Sequence, residues 1–543
     1  MGTLSDWIIK KLKIRETVDD SVYSYLSDIY SGKDVKLSEL KDDIYYNTLN
    51  QTLYEGNTED IMYFYQNYSP SNFNQDDISI FWNKAVLDKR LPKVHIPLTK
   101  QISDFMPGLL FNNVPKYSVS TGNKDSDKRL NSIISDALES NDFSNLLKHG
   151  AILESYSGAV AAKFIIDPKF STEPIIVLYP KSSIRVRYKY GKVFEVVFID
   201  IYDKGKVTYK LESTYGYGYI KYKLYDTTKQ REVPLSTIEE TKELVDIYVV
   251  QNGKPYGKLL CAYKVNKPGT IDGESDYSGI YSLQEALDAI ASYRQLYFKY
   301  GSRIKTTVTE DQLEKDENGN VVVRDLENNG LDILVLKDKN INGTENIRDT
   351  IIPTLSDQAF EDAITDISKK IVNAVGLSLV SFGLEQSGRN ASAEQLIIRE
   401  ASNYKLREKK LSLWEQFIED LMELSLVYKL IMSDTSGTNT FNIPEFKYSY
   451  IVQFPDARVK SDLERAEYIQ KLESTGYIDH EEALRMYYEP LLESDELEAV
   501  IAKKLAEYQT NKSLIQSQLN QSSTPGEKQV ETNIQKLEND SNE

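Results

Sequence analysis

The sequence predicts an α+β fold of several domains, and three observations predict it. Seven short β-branched runs lie between Ala159 and Val265. Two amphipathic arms enclose a smaller set of such runs between 279 and 375. One helical pattern then continues from about 392 to 432 without Pro or Gly. Strands gathered in one stretch and helices in others give the α+β pattern, where strict alternation would give βαβ units.

In chain order, Met1 to Lys13 mixes apolar and charged residues as an amphipathic helix does, and Asp6 stands where a myristoylation motif wants Ser or Thr. Residues 15–80 are rich in Tyr, Asp and Asn with short helical patterns, and Ile78-Ser-Ile-Phe-Trp82 gives them an apolar anchor. From 159 onward, residues 160–166, 175–179, 184–188, 193–199, 207–211, 217–224 and 244–250 read as strands. Tyr and Val alternate there with charge, which predicts antiparallel sheet with one wet face. The tyrosines Tyr215, Tyr217, Tyr219 and Tyr222 read as sheet surface or subunit contact. Only Lys221 and Lys223 interleave them, too few for a base-stacking groove.

Lys267 to Ser275 is a loop by its Pro and two Gly. The first arm, 282–301, places Leu283, Leu287, Ile290, Tyr293, Tyr297 and Tyr300 on one stripe. Ile304–Val308, Val321–Val323 and Leu331–Leu336 are strand-like, with hairpin-type turn signals at Asn318-Gly319 and Asn329-Gly330. The helical period returns at Phe360, Ile364, Ile367 and Ile371, behind Pro353 and Ser356. Residues 376–389 hold three glycines and three serines and read as a mobile loop. Ser392 and Gln395 then have capping-box spacing. The helix that follows, of about forty residues, would be about 60 Å long. Phe446–Phe454 is one more strand, 462–508 is helical, and the polar stretch from 510 is expected to be disordered.

Composition excludes several classes. Of 543 residues, 40% are hydrophobic and 27% charged, and no apolar run approaches a membrane span. A net charge of −18 argues against a broad grip on nucleic acid; it does not exclude DNA as a transient occupant, and from composition alone solubility is its first explanation. Residues 456–543 carry 19 acidic against 10 basic residues, so half of that excess lies in the last sixth. One cysteine, Cys261, excludes an internal disulfide and reads as a small buried hydrophobe. Three scattered histidines make a zinc site improbable. Phosphate-cradling, nucleophile-elbow and HExxH motifs are all missing, and paired acids such as Asp42-Asp43 or Glu481-Glu482 point to different helix faces. Neither a cofactor nor a catalytic step is expected.

The order of these parts resembles the portal (head-tail connector) proteins of tailed bacteriophages, over roughly Lys93 to Tyr508. Five segments carry the resemblance. They are Val94-His-Ile-Pro-Leu-Thr-Lys-Gln-Ile-Ser-Asp-Phe-Met-Pro-Gly-Leu-Leu-Phe-Asn-Asn-Val-Pro115, Asn141 to Gly158, Leu283 to Ile290 with Arg303, Asn390 to Gln395, and Phe454-Pro-Asp456 through Glu467.

The resemblance implies a wing at 1–278, stem helices at 279–302 and 351–376, and a clip at 303–350. A tunnel loop at 377–391, a spine helix with a wing strand at 392–455, a crown at 456–508 and an acidic tail at 509–543 complete the subunit. It also implies a homo-oligomeric ring, usually a dodecamer, at one capsid vertex, assembled in the host cytoplasm. Double-stranded DNA would pass through it, and terminase large subunit, head-tail adaptor, major capsid and scaffolding proteins would be its partners. The stem packs through Leu283, Leu287, Ile290, Phe360, Ile364, Ile367 and Ile371. Clip docking falls to Arg303, Lys305, Asn318, Gly319, Arg324 and Asn329. The DNA-facing loop would use Ser378, Ser381, Phe382, Gly383, Ser387, Gly388 and Arg389, although it lacks the family's acidic cluster.

Two rival readings stay open from sequence. One is another ring-forming virion protein of a neck or baseplate; the other is a nucleic-acid enzyme with carboxylate-bound metal. The first gives no reason for the loop between the second arm and the long helix, and the second lacks a carboxylate cluster.

Overall fold

The computed structural model describes residues 37–67, 81–85, 91–301 (apart from 206, 230 and 270–271), 304–309, 331–336, 349–351, 357–385, 398–434, 438–445, 448–455, 462–475, 477–488, 500–510 and 513. The chain forms two units, Met1–Ala457 and Arg458–Glu543.

The first unit opens with helices α1 (Leu37–Glu55), α2 (Thr58–Asn67), α3 (Phe81–Ala85) and α4 (Leu98–Phe111). Strand β1 (Lys116–Ser120) follows, then α5 (Lys124–Glu139) and α6 (Phe143–Ser157). Local chemistry sets the limits of α5 and α6. The Asn123 side chain accepts from the Asp125 and Ser126 amides at the start of α5, with Asp125 and Asp127 in the first turn favouring its dipole. Gly158 closes α6 at φ 90. A Cβ there would lie 2.8 Å from the Ser275 nitrogen, so no other residue fits.

The expected strands are present. β2 (Ala159–Ile165) lies between β3 (Ile175–Pro180) and β11 (Ala262–Val265) in a three-stranded sheet. An eight-stranded sheet has the order β10-β9-β7-β6-β5-β4. Its strands are β4 (Ile184–Lys189), β5 (Lys192–Lys204), β6 (Val207–Gly216), β7 (Tyr219–Asp226), β9 (Ile247–Gln251) and β10 (Lys254–Pro255). β8 (Arg231–Val233) pairs with β7, and β15 (Thr440–Ile443) with β9. All these pairings are antiparallel except β15 on β9, which is parallel. The expected wet face is partly covered: Lys163, Lys264, Glu195 and Glu212 are buried. Tyr215 is core, 1% exposed, and donates to the Phe164 carbonyl, which corrects its reading as sheet surface.

Helix α7 (Tyr281–Gly301) is the first arm and α8 (Gln358–Val375) the second. Between them lie β12 (Ile304–Thr309), β13 (Leu331–Leu336) and β14 (Asp349–Ile351), in the order β13-β12-β14. β12 and β13 are parallel, with Ile304 opposite Leu331. Parallel neighbours need a crossover, and the turn dipeptides, with Val321–Val323, lie outside the described residues. Helix α9 (Ala401–Ser433) runs for 33 residues, about 50 Å, shorter than the forty expected. The capping box at 392–395 also lies outside the described residues. From Leu421 to Tyr428 α9 is buried all round, as a helix running through a core must be. Strand β16 (Ser449–Gln453) pairs antiparallel with β1.

The second unit contains α10 (Asp462–Ser474), α11 (His480–Tyr488) and a helical stretch at 500–510. Ile469, Ala483 and Ile501 are buried in it. The His480 ring stacks on Tyr508 at 3.9 Å, with Nδ1 2.6 Å from Glu473. Among the described residues, no helix is long and apolar enough to cross a membrane.

Candidate functional site

The two arms run antiparallel, because the last turns of α7 meet the first turn of α8. Arg294 donates to both Asp357 oxygens at 2.7 and 2.5 Å and lies 2.5 Å from Glu361; the Tyr297 and Phe360 rings sit 5.5 Å apart. Asp357 sits at the N-cap of α8 without a capping bond and gives its carboxylate to Arg294 instead. Leu287 and Ile371 are fully buried, and Leu283, Ile364 and Ile367 pack against the same core. Ile290 is half-buried. Further along the same helix, Tyr293 is 50% and Tyr297 37% exposed.

Sequence reasoning missed a second, polar stripe on α7: Gln284, Asp288 and Ser292, all buried, at spacings of four. It holds the extended segment 91–97 and Trp82. Asp288 accepts from Trp82 Nε1 at 3.2 Å and the Ile96 amide at 3.0 Å, and its Oδ2 lies 2.8 Å from His95 Nδ1. Gln284 donates to the Ile96 carbonyl at 2.7 Å, and Ser292 Oγ accepts from the Val94 amide at 3.0 Å. Glu285 accepts from the Trp82 amide, and burial raises its carboxyl to about 7. The available signal was Asp288 itself, an acid set among Leu287, Ala289 and Ile290.

Beside the first arm lies a buried ionic joint. Lys264 pairs with Glu154, which also accepts from Trp414 Nε1 at 2.9 Å, and the Lys264 ammonium stands 4.2 Å from the centre of the Trp414 ring. Lys410 pairs with Asp276 at 3.0 Å and bonds Asn266. Ser155 and Asn266 complete the partners of Asp276 at 2.8 and 2.9 Å. Burial pushes the Lys264 ammonium well below its ordinary range, and the like charge of Lys410 adds to that. Buried charges persist only when paired and hydrogen-bonded, and here the pairs join α6, β11 and the lead into α7 to the long helix.

The loop after α8 does not begin as a free segment. Gly376 closes the helix at φ 85, Leu377 is buried, and residues Val380–Phe382 make one tight turn before Gly383 at φ 67. Asn403 of α9 holds this corner: its side chain accepts from the Ser378 amide and donates to Ser381 Oγ, both at 2.8 Å. Ser378 Oγ donates to the Arg399 carbonyl at 2.9 Å, and the Phe382 and Phe105 rings lie 5.3 Å apart. Ser378 is therefore withdrawn from the DNA-facing set, since its hydroxyl is used inside and its side chain is buried. Ser381 and Phe382 are half-buried and Gly383 is exposed. Ser387, Gly388 and Arg389 lie outside the described residues, as do Arg303, Asn318, Gly319, Arg324 and Asn329 of the other set. Lys305 is on β12, opposite Asp332 and Ile351.

Cys261 is buried and its thiol is pushed up by that burial, which removes it as a nucleophile. A cavity of about 190 Å³ is lined by Tyr217, Tyr256, Lys258, Cys261, Asp420 and Glu423, but Glu423 is already engaged by Tyr256 and Lys258. Among the described residues no group of three or more His, Cys, Asp or Glu could hold a metal ion.

No curated protein sequence matches this chain. Among solved structures, chains of "Neck of empty GTA particle computed with C6 symmetry" and "Virion of native gene transfer agent (GTA) particle" are similar. The first has a TM-score of 0.40 at 9% identity, covering 72% of this chain and 90% of that one. The second has 0.37 at 9%, covering 72% and 89%. Likeness at those scores carries no weight for fold or function. The family profile does. The one described as "Phage portal protein, SPP1 Gp6-like" matches residues 33–508, and the chain belongs to that family of structural, ring-forming virion proteins, which are not enzymes.

Proposed function

We propose that copies of this chain form the ring at one capsid vertex, usually twelve copies in such rings, through which double-stranded DNA enters during packaging and leaves at ejection. The observation that carries this reading is the family match across residues 33–508, from the first described helix to the second unit. The arrangement of parts supports it. Two antiparallel arms lead to a small sheet, and the second arm returns through a corner held by Asn403 onto a 33-residue helix. The arms are the stem, and their exposed Tyr293 and Tyr297 are available to neighbouring copies. The sheet of β12, β13 and β14, with Lys305, is the clip on which terminase large subunit docks during packaging and the head-tail adaptor afterwards. Residues 37–278 with β15 and β16 are the wing, which meets major capsid and scaffolding proteins during assembly in the host cytoplasm. The second unit is the crown.

The loop that touches DNA is narrowed by the corner. Ser378 and Ser381 are tied to Asn403 of α9, and of the loop residues Gly383 is exposed, so the DNA contact is assigned to Gly383, Ser387, Gly388 and Arg389. Gly383 and Gly388 permit repositioning, Ser387 can meet phosphate without a fixed charge, and Arg389 supplies one phosphate contact. The test is a deletion of 386–390 in a packaging assay. Rings are expected to assemble as in the parent while DNA uptake stops. Uptake at the parental rate, or failure of the rings to assemble, contradicts the assigned role.

A further inference from the structure

The tip of the β4–β5 hairpin carries a residue that its own backbone geometry disfavours. Lys189 pairs with Lys192, leaving Tyr190-Gly191 as a two-residue turn with φ 53 and 75. The β9–β10 hairpin has the same turn, Asn252-Gly253 at φ 51 and 74 between Gln251 and Lys254. Such turns need positive φ at both central residues, which Asn-Gly meets at little cost and a tyrosine does not. Two turns of one geometry in one sheet thus differ by Tyr for Asn. The tyrosine buries almost nothing in return: it is 93% exposed, with the Lys189 ammonium 5.6 Å from its ring centre. Strain kept at an exposed aromatic points to a contact made outside the subunit.

The surroundings define the chemistry of that contact. The Lys189 ammonium lies 5.6 Å from the ring centres of both Tyr190 and Phe194, Phe194 is 37% exposed, and Lys192 is exposed beside them. The tip is an aromatic and cationic knob on a chain of net charge −18. Another copy of the chain offers the complement. On α9, Glu415 is exposed next to Glu419 and Asp420. The Glu419 carboxyl is pushed up by burial and then by Glu415, and burial with neighbouring carboxylates raises that of Asp420 to about 6.

We propose that the Lys189–Lys192 tip is an intersubunit anchor, with Tyr190 packing on a carboxylate-bearing face of the adjacent copy in the ring. This rests on the chain's membership in a ring-forming family. Ring assembly is measured by mass photometry against concentration and salt, beside thermal unfolding, for the parent, Tyr190→Asn and the double variant Lys189→Glu/Lys192→Glu. Tyr190→Asn is expected to unfold at a temperature no lower than the parent's, yet to need at least about tenfold more protein to form rings. The double variant is expected to be weakened similarly, and parental assembly to weaken with salt. Tyr190→Asn assembling at the parental concentration overturns the proposal, even if its rings then fail to enter particles, because the partner would be a different protein. So does a lower unfolding temperature, which would give Tyr190 a role in the fold. A parent that forms no rings at all is a different result, and contradicts the ring reading itself.

Discussion

Glu285 shows how much one buried group can impose on the chain. Burial raises its carboxyl to about 7 from an ordinary 4.5. The folded state therefore holds a proton that the unfolded state has released across that window, so stability falls as pH rises from about 4.5 to 7, by about 3 kcal/mol in all. Glu285→Gln keeps an oxygen for the Trp82 amide and removes the charge. Urea unfolding at pH 8 is expected to show it more stable than the parent, with little difference at pH 4.5; equal stabilities at pH 8 would reject this account. At the ionic joint the expected sign is opposite. Lys264→Met leaves Glu154 buried beside Trp414 without its cation and is expected to cost about 3–5 kcal/mol, measured by chemical denaturation. None of this was legible in the sequence. The apolar stripe of the first arm picks out Leu283, Leu287 and Ile290 and says nothing of Glu285, Asp288 or Lys264, because one-dimensional periodicity cannot tell which polar face a second layer will cover.

The arms were legible as elements because their partners are local in kind: Leu287 and Ile371 sit on apolar stripes that only a helix can collect. Leu287→Ala is expected to lower stability by about 2–5 kcal/mol, as for other leucines in packed sites, and a loss under 1 kcal/mol in calorimetry would mean that the arms do not share a core. The sheet between the arms was legible as strands but not as pairings. Turn dipeptides report only chain reversals nearby, whereas β12 and β13 are parallel and joined at a distance. The loop after α8 was read as mobile from its glycines and serines. Its first half is instead fixed from outside by Asn403, a residue 25 positions away from Ser378. Asn403→Leu removes both bonds to that corner. It is expected to raise backbone hydrogen exchange at residues 377–382 while exchange along α7 stays unchanged, and unaltered protection at 377–382 would show that the corner holds without it.

At the scale of the whole molecule, the α+β class was readable from the separation of strand-rich and helical stretches, and the family was readable from the order of arm, sheet, arm, loop and long helix. No single segment identifies the family, since each is an ordinary piece of amphipathic structure. The one thiol, Cys261, is buried, and Glu423 in the cavity beside it is engaged by Tyr256 and Lys258. A net charge of −18 fits a passage that must not hold a polyanion. The central claim is that copies of this chain close into a ring around an axial hole. Electron microscopy of the purified protein tests it most directly. Closed rings with a central opening wide enough for duplex DNA are the expected result, and monomers or rings sealed at the axis would contradict it.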